Sequence, residues 1–390
     1  MNRSSDIQRI LVVIPTANFT QRQLLEGLLE FAHKKKGPSW QLHLDLRNLD
    51  HHRLHNLSSW NCSGIIAFIL SDRERQDFIK TGLPAVFIDP LVRKPPKGLP
   101  RNIVSFVYDF DAEGRTAAEY FLERRYNSFA YVGSVRPQFW SQERERGFIE
   151  RLARDGIRPA LFEMGSTAER DDFAVETKRL TAWLKTLTKP AAVFCATDAR
   201  AHEVIATALD AGLRVPEDIS ILGVDNDALI CETTVPPMSS IPMNDHIRGR
   251  EAGKALAALL DGKRPARVRT IEHGSVVTRT STDTLVLGDA FVTRALTYAR
   301  THFADRPGLL KLAEIAGCSK TELNRRARRC LGRTIGEELI RIKLQEAIAL
   351  LKNTDKTVEE IAISSGFYGA SHLGMRLSAA FGRTPSSYRP

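Results

Sequence analysis

The carboxyl-terminal quarter of the chain repeats itself once, and that repeat admits few folds. Ala313 and Gly317 recur as Ala362 and Gly366 at a spacing of 49 residues. Leu323, Arg326 and the triplet Gly332-Arg333-Thr334 recur as Leu373, Arg376 and Gly382-Arg383-Thr384 at a spacing of 50. A fixed spacing means one supersecondary unit used twice. Each copy reads as a helix, a tight glycine turn and a second helix, Leu309–Ala316 with Ser319–Leu331 and Val358–Ser365 with Ala370–Phe381. Further helices are expected over Ala290–His302 and Ile335–Lys352. Ser319-Lys-Thr-Glu322 and Thr357-Val-Glu-Glu360 are capping boxes. Gly332, Gly382 and Pro385 are stop signals. A unit of this kind sets its second helix in a DNA major groove.

Charge agrees with that reading. The whole chain carries a net charge of +10, and residues 289–390 hold 17 Lys and Arg against 10 Asp and Glu. A basic block attracts polyanions by counterion release, although a solvated surface has the same composition. Helix Ser319–Leu331 turns Lys320, Thr321, Asn324, Arg325, Arg328 and Arg329 outward, with Leu323 and Ala327 inward. Asn and Arg can pair with purine edges, and Lys with the remaining Arg can hold phosphates. The second reading helix offers Ala370, Ser371, His372, Met375 and Arg376 and is less basic.

The rest of the 390-residue chain is α/β, and the length fits two or three domains. Strands are expected over Ile10–Ile14, Gly64–Ile69, Ala85–Ile88, Ile103–Val107, Phe129–Gly133, Ala160–Met164, Ala191–Ala196 and Ser220–Val224. Helical patterns lie between them, over Gln21–Lys36, Ala112–Arg124, Ser141–Asp155, Arg170–Leu187, Ala199–Gly212 and His246–Leu260. Alternation of this kind gives parallel sheets covered by helices. So many strands point to two lobes with a cleft between them. The expected division is a sensor over 1–275, a linker over 276–288 and a helical domain over 289–390. No stretch approaches the roughly 20 apolar residues of a membrane span, and the opening apolar run is too short for a signal peptide. A cytoplasmic protein is expected. Cys62, Cys195, Cys231, Cys318 and Cys330 form no close pair, so reduced thiols and no zinc site are expected. His51, His52 and His55 near Cys62 have poor metal-ligand spacing and read as a polar loop. No cofactor is expected.

Ligands of open α/β sheets bind beyond the carboxyl ends of strands. Asp89, Asp198 and Asp225 each follow an apolar run. Carboxylates accept hydrogen bonds from hydroxyls, and Arg144 can donate several in a fork. Phe19 or Trp140 can pack on an apolar sugar face. Asp198 can equally cap a helix starting at Ala199, and Arg144 alone could be a surface ion pair. Paired acids also serve glycoside hydrolysis, but no nucleophile motif, metal set or phosphate loop accompanies them, so no catalytic residue is expected.

The helical part resembles the AraC-type activator domain, in which a long helix joins two helix-turn-helix units. Glu360-Ile-Ala-Ile-Ser-Ser-Gly-Phe367 and Phe381-Gly-Arg-Thr-Pro-Ser-Ser-Tyr-Arg389 carry that likeness. It implies reading helices in successive major grooves of double-stranded DNA, with Thr321, Asn324, Arg325, Ala370, Ser371, His372 and Met375 at the bases. This chain has Ala327 and Leu377 where aromatics are usual, and Ala379-Ala380 where basic residues are common. The α/β part resembles the LacI/GalR sensor, similar to type I periplasmic sugar-binding proteins. Thr197-Asp-Ala-Arg-Ala201, Gly223-Val-Asp-Asn226 and Arg279-Thr-Ser-Thr-Asp283 carry it. It implies a bilobed sensor whose Asp89, Arg144, Thr197 and Asp225 meet a sugar such as xylose or a related pentose. Met243 stands where an amide often contacts the sugar, and Thr197 where Asn is frequent. The combination implies a sugar-controlled activator that works as a homodimer with RNA polymerase. A transport-type binding protein fits less well, lacking an export signal and carrying the DNA-binding tail.

Overall fold

Two separate sheets, both wholly parallel, organise the α/β part. The computed structural model describes residues 7–35, 37–45, 60–95, 97–163, 165–283, 289–302, 305 and 307–389. The chain divides into two compact units. The first comprises residues up to Ala112 with Gln138–Glu143 and Met243–His273. The second comprises Glu113–Pro137, Arg144–Pro242 and Gly274 onward.

The sheet of the first unit is built from β1 (Ile7–Val13), β2 (Ser39–Asp45), β3 (Cys62–Phe68), β4 (Ala85–Asp89), β5 (Ile103–Val107) and β11 (Val268–Thr270). Their order is β11-β5-β4-β3-β1-β2. Every residue of β4 and β5 is buried, as expected for strands covered on both faces. Helices α1 (Phe19–Lys34) and α9 (Asp245–Leu260) approach closely because two glycines permit it. A Cβ on Gly27 would lie 1.8 Å from the His246 carbonyl oxygen, and one on Gly249 1.9 Å from that of Leu24.

The sheet of the second unit contains β6 (Ser128–Val132), β7 (Ala160–Phe162), β8 (Ala191–Cys195), β9 (Ile219–Asp225) and β10 (Ser239–Pro242). Their order is β10-β9-β8-β6-β7. Its helices include α3 (Phe110–Glu123) and α4 (Phe139–Ala153), the first residues of each belonging to the other unit, with α7 (Asp198–Asp210) and α8 (Ala228–Thr233). The pattern expected as one helix over Arg170–Leu187 is two, α5 (Thr167–Asp171) and α6 (Phe173–Thr186). Asp172 breaks it by accepting the amides of Ala174 and Val175 as an N-cap.

Three strands and two helices escaped the sequence reading, the six-residue α8 among them. β2, β10 and β11 are edge strands, half-exposed or only three to four residues long. The helix α2 (Asp72–Lys80) buries Glu74 and Arg75 beside Phe78, so its inner face looks polar in sequence. The expected linker is fastened through residue 283. Val277 and Ser240 exchange backbone hydrogen bonds of 2.9 and 3.2 Å, and the Ser281 amide donates to Pro237 at 2.9 Å. Residues 284–288 of that segment, Met164 and His51, His52 and His55 lie outside the described residues.

The tail is all helical: α10 (Ala290–Thr301), α11 (Leu309–Ala316), α12 (Lys320–Leu331), α13 (Ile335–Asn353), α14 (Val358–Ser364) and α15 (Ala370–Phe381). It has two small cores. Val292, Leu296, Leu312, Leu323, Ala327 and Ile335 form one. Leu344, Leu351, Ile361, Phe367, Leu373 and Leu377 form the other. Helix α13 contributes to both cores and so ties the two units together. Among the described residues no helix is long and apolar enough to cross a membrane.

Candidate functional site

Both helix-turn-helix units turn on a left-handed glycine, Gly317 at φ 78° and Gly366 at φ 76°, a conformation glycine adopts without the Cβ penalty. The reading helix α12 starts at Ser319, whose side chain accepts the Glu322 amide. The expected reciprocal half of that capping box is missing. The Glu322 carboxylate instead takes Arg325 at 2.7 Å and Arg326 at 2.6 Å. The Arg325 hydrogen bond leads in holding the Glu322 carboxyl down to about 2. Thr357 and Glu360 make the second box in full.

Lys320, Thr321, Arg325, Arg328 and Arg329 are exposed on α12, at helical spacings that put them on one side. Asn324 is half-buried and its side-chain oxygen accepts the Ile335 amide at 3.2 Å. It therefore holds the start of α13. On α15, Ser371, Met375 and Arg376 are exposed. His372 stacks on Tyr368 and meets Phe367 edge-on. Ala370 donates its amide to Glu359 at 2.8 Å, which caps a helix whose own N-cap, Gly369, has no side chain. Tyr368, 77 % exposed, was not singled out from sequence; its position in the turn before a reading helix is the signal. Helix α13 has 19 residues, about 28 Å at 1.5 Å per residue, comparable with the roughly 34 Å turn of a duplex.

The carboxyl strand ends of each sheet hold the other candidates. In the first unit Asp89 ends β4 and is 1 % exposed. Its oxygens accept Arg75 Nε at 2.8 Å, Arg75 Nη2 at 3.0 Å and the Leu91 amide at 3.1 Å. Three of the roughly four acceptor positions of its carboxylate are thus engaged within the fold. Phe19, at the start of α1, and Trp140, in α4, are half-buried, and Met243 is buried. Tyr108 donates to Asp245 at 2.9 Å, and the Arg248 guanidinium pairs with Asp245 and lies 3.8 Å from the Tyr108 ring centroid. The sequence reading missed this cluster, since its members stand 137 residues apart.

In the second unit Arg144 is 3 % exposed. It donates to Glu113 Oε2 at 2.5 Å and to the Ala196 carbonyl at 2.5 Å. Burial pulls its pKa down, but the charges of Glu113 and Asp225 outweigh this and raise it. A surface ion pair is thereby excluded. Asp225 ends β9 at φ 115°, and Asn226 follows at φ 54°. Two successive non-glycine residues with positive φ mark a held, strained loop of the kind found at binding sites.

Thr197, not Asp198, caps α7: its hydroxyl accepts the Arg200 amide at 3.1 Å. Asp198 is 1 % exposed. It accepts Ser240 Oγ at 2.5 Å, the Asp227 amide at 2.8 Å and Cys231 Sγ at 3.3 Å. It thus holds the loop after β9. Burial pushes its carboxyl up to about 7, against the lowering effect of these donors. Burial likewise pushes the Cys231 thiol up. A raised acid favours folding in its neutral form, so that stability is full below pH 3.8 and is lost as pH rises through about 7. Between about pH 5 and about pH 8, we expect the melting temperature to fall more steeply for the native chain than for Asp198→Asn. Parallel slopes in scanning calorimetry would refute this. Among the described residues no three His, Cys, Asp or Glu side chains are grouped to hold a metal ion.

Comparison with known proteins agrees with these features. Residues 118–282 match the periplasmic binding protein-like domain, and residues 312–390 match a helix-turn-helix domain. The xylose operon regulatory protein of Escherichia coli K12 is 25 % identical over 386 residues, covering 98 % of this chain and 96 % of that protein. Its namesake from Haemophilus influenzae is 26 % identical over 276 residues, covering 70 % of this chain and 71 % of that protein. The structure of the xylose-binding transcription activator xylR has a TM-score of 0.62 at 24 % identity, covering 98 % of each chain. The chain is therefore a DNA-binding transcription regulator with a periplasmic binding protein-like sensor ahead of a helix-turn-helix domain. Its domain arrangement is that of the xylose operon regulators.

Proposed function

We propose that this regulator is an activator controlled by a pentose, acting in the cytoplasm as a homodimer that engages RNA polymerase. Its division into sensor (1–275), linker (276–288) and reading domain (289–390) follows the same proposal. The observation that carries the effector assignment is the placement of the Arg144 guanidinium, deeply buried, within the field of Asp225 at a strained strand end. A fork of donors beside an acceptor suits vicinal hydroxyls. Phe19 and Trp140, half-buried in the first unit, are candidates for packing on a sugar face. The full-length likeness to xylose operon regulators supports a pentose. Met243, buried and apolar, favours a ligand that needs fewer polar contacts, so a related small carbohydrate is the second reading.

Titration calorimetry with D-xylose, L-arabinose and D-ribose tests this, and absence of heat with all three would sink it. Asp225→Asn should weaken binding of the responding sugar by about ten- to a hundredfold, the loss of one hydrogen bond to a charged group. Asparagine tolerates positive φ, so the substitution adds no backbone strain.

A further inference from the structure

We propose that the last turn of α3 is the coupling element of this regulator, clasping the segment before the DNA-binding domain with Tyr120 and the domain itself with Glu123. The proposal rests on the regulator reading above and concerns how that reading is executed.

The hydroxyl of Tyr120 is hydrogen-bonded to Thr282 Oγ1 at 2.5 Å and to Thr278 Oγ1 at 3.0 Å. The Arg124 guanidinium covers the same ring at 3.4 Å and donates to Thr278 at 3.3 Å. Thr282 in turn donates to Ser239 Oγ at 2.6 Å. One turn along α3, Glu123 Oε2 accepts Gln345 Nε2 of α13 at 2.7 Å and lies 3.9 Å from Arg341. A single helical turn thus grips both ends of the connection. Only residues 283–288 separate the clasped segment from Asp289, which is itself held by Arg326 at 3.0 Å.

The clasp is also continuous with the strained loop after β9. Arg279 donates to Asn226 Oδ1 at 2.9 Å. The Asn226 amide donates to Ser240 Oγ at 2.9 Å, and Ser240 donates to Asp198. A change in backbone at Asp225 and Asn226 would therefore pull on residue 279, and through residues 278–282 on Tyr120. The grip on α13 is built for release. Its bonds are polar and partly exposed, and beside them lies a cavity of about 140 Å³ whose lining includes Leu122, Leu331 and Glu338 together with Glu123 and Arg341. Few buried apolar contacts and polar bonds near water mark an element of low local stability.

Spatial continuity is not coupling, so the test reads coupling directly. Affinity of the full chain for a duplex from upstream of its own gene is measured with and without D-xylose. We expect the sugar-dependent change to collapse toward none in Tyr120→Phe and Thr282→Val, with sugar affinity by calorimetry unchanged. Thr282→Ser, which keeps the hydroxyl, should retain the change. A native-sized response in both hydroxyl-deleted variants would overturn the proposal. If the native chain itself ignores D-xylose, the effector reading is what fails, and hydrogen exchange then decides the coupling. Amides around Gln345 should exchange about fivefold faster in Tyr120→Phe if the clasp steadies α13, and unchanged exchange overturns it.

Discussion

Replacing Lys320, Arg325 and Arg328 together by alanine should lower affinity for operator DNA by about a thousandfold near physiological salt. Each lost cationic contact is taken at roughly 1–2 kcal/mol. The slope of log affinity against log salt should shrink by about two to three, close to one per phosphate contact removed, with about two if Arg325 reads a base. All three side chains are exposed on α12, and alanine is the best helix former, so the helix should survive. Arg325 enters with a complication, because Glu322 already holds it at 2.7 Å. Its contribution is the difference between a phosphate or base and that carboxylate, which places Arg325→Ala below Arg328→Ala as a single variant. Fluorescence anisotropy across a salt series separates the cases. Unchanged slope with reduced affinity would mean that the helix does not lie against phosphates.

How much of this was legible follows from where the signals sit. The helical tail was legible almost to the residue, because its turns, caps and repeat are local chemistry. Gly317, Ser319, Thr357 and Gly366 do in the structure what their types dictate in sequence. The central strands were legible as apolar runs, whereas β2, β10 and β11 were not. Edge strands carry alternating or short patterns that a loop also carries. The long pattern over Arg170–Leu187 hid a break, since the apolar period runs on across Asp172 while the backbone does not.

The candidate effector residues were legible by position but not by role. Asp89, Asp198 and Asp225 look alike in sequence, each an acid beyond an apolar run. Their partners make them different, and those partners lie far away: Arg75 for Asp89, Ser240 and Cys231 for Asp198. Glu113, which anchors Arg144, carried no signal because it sits inside an amphipathic helix as any surface glutamate would.

Arg75→Leu supplies the second large effect and tests that division of roles. Arg75 is 2 % exposed and gives two hydrogen bonds to Asp89, itself nearly inaccessible, while also pairing with Asp72. Removing one partner of a buried ion pair leaves a desolvated charge and costs about 3–5 kcal/mol. That is a large share of the 5–15 kcal/mol by which a domain is typically stable. The first transition in urea should therefore move to markedly lower denaturant. Arg75→Leu with Asp89→Asn should recover much of the loss, because the orphaned charge is gone. The double variant also separates structure from binding. If Asp89 only positions the end of β4, the refolded pair binds the effector sugar with near-native affinity. A pair that folds as well as the native chain but binds the sugar ten- to a hundredfold more weakly, the usual span for one charged hydrogen bond, would return Asp89 to the ligand.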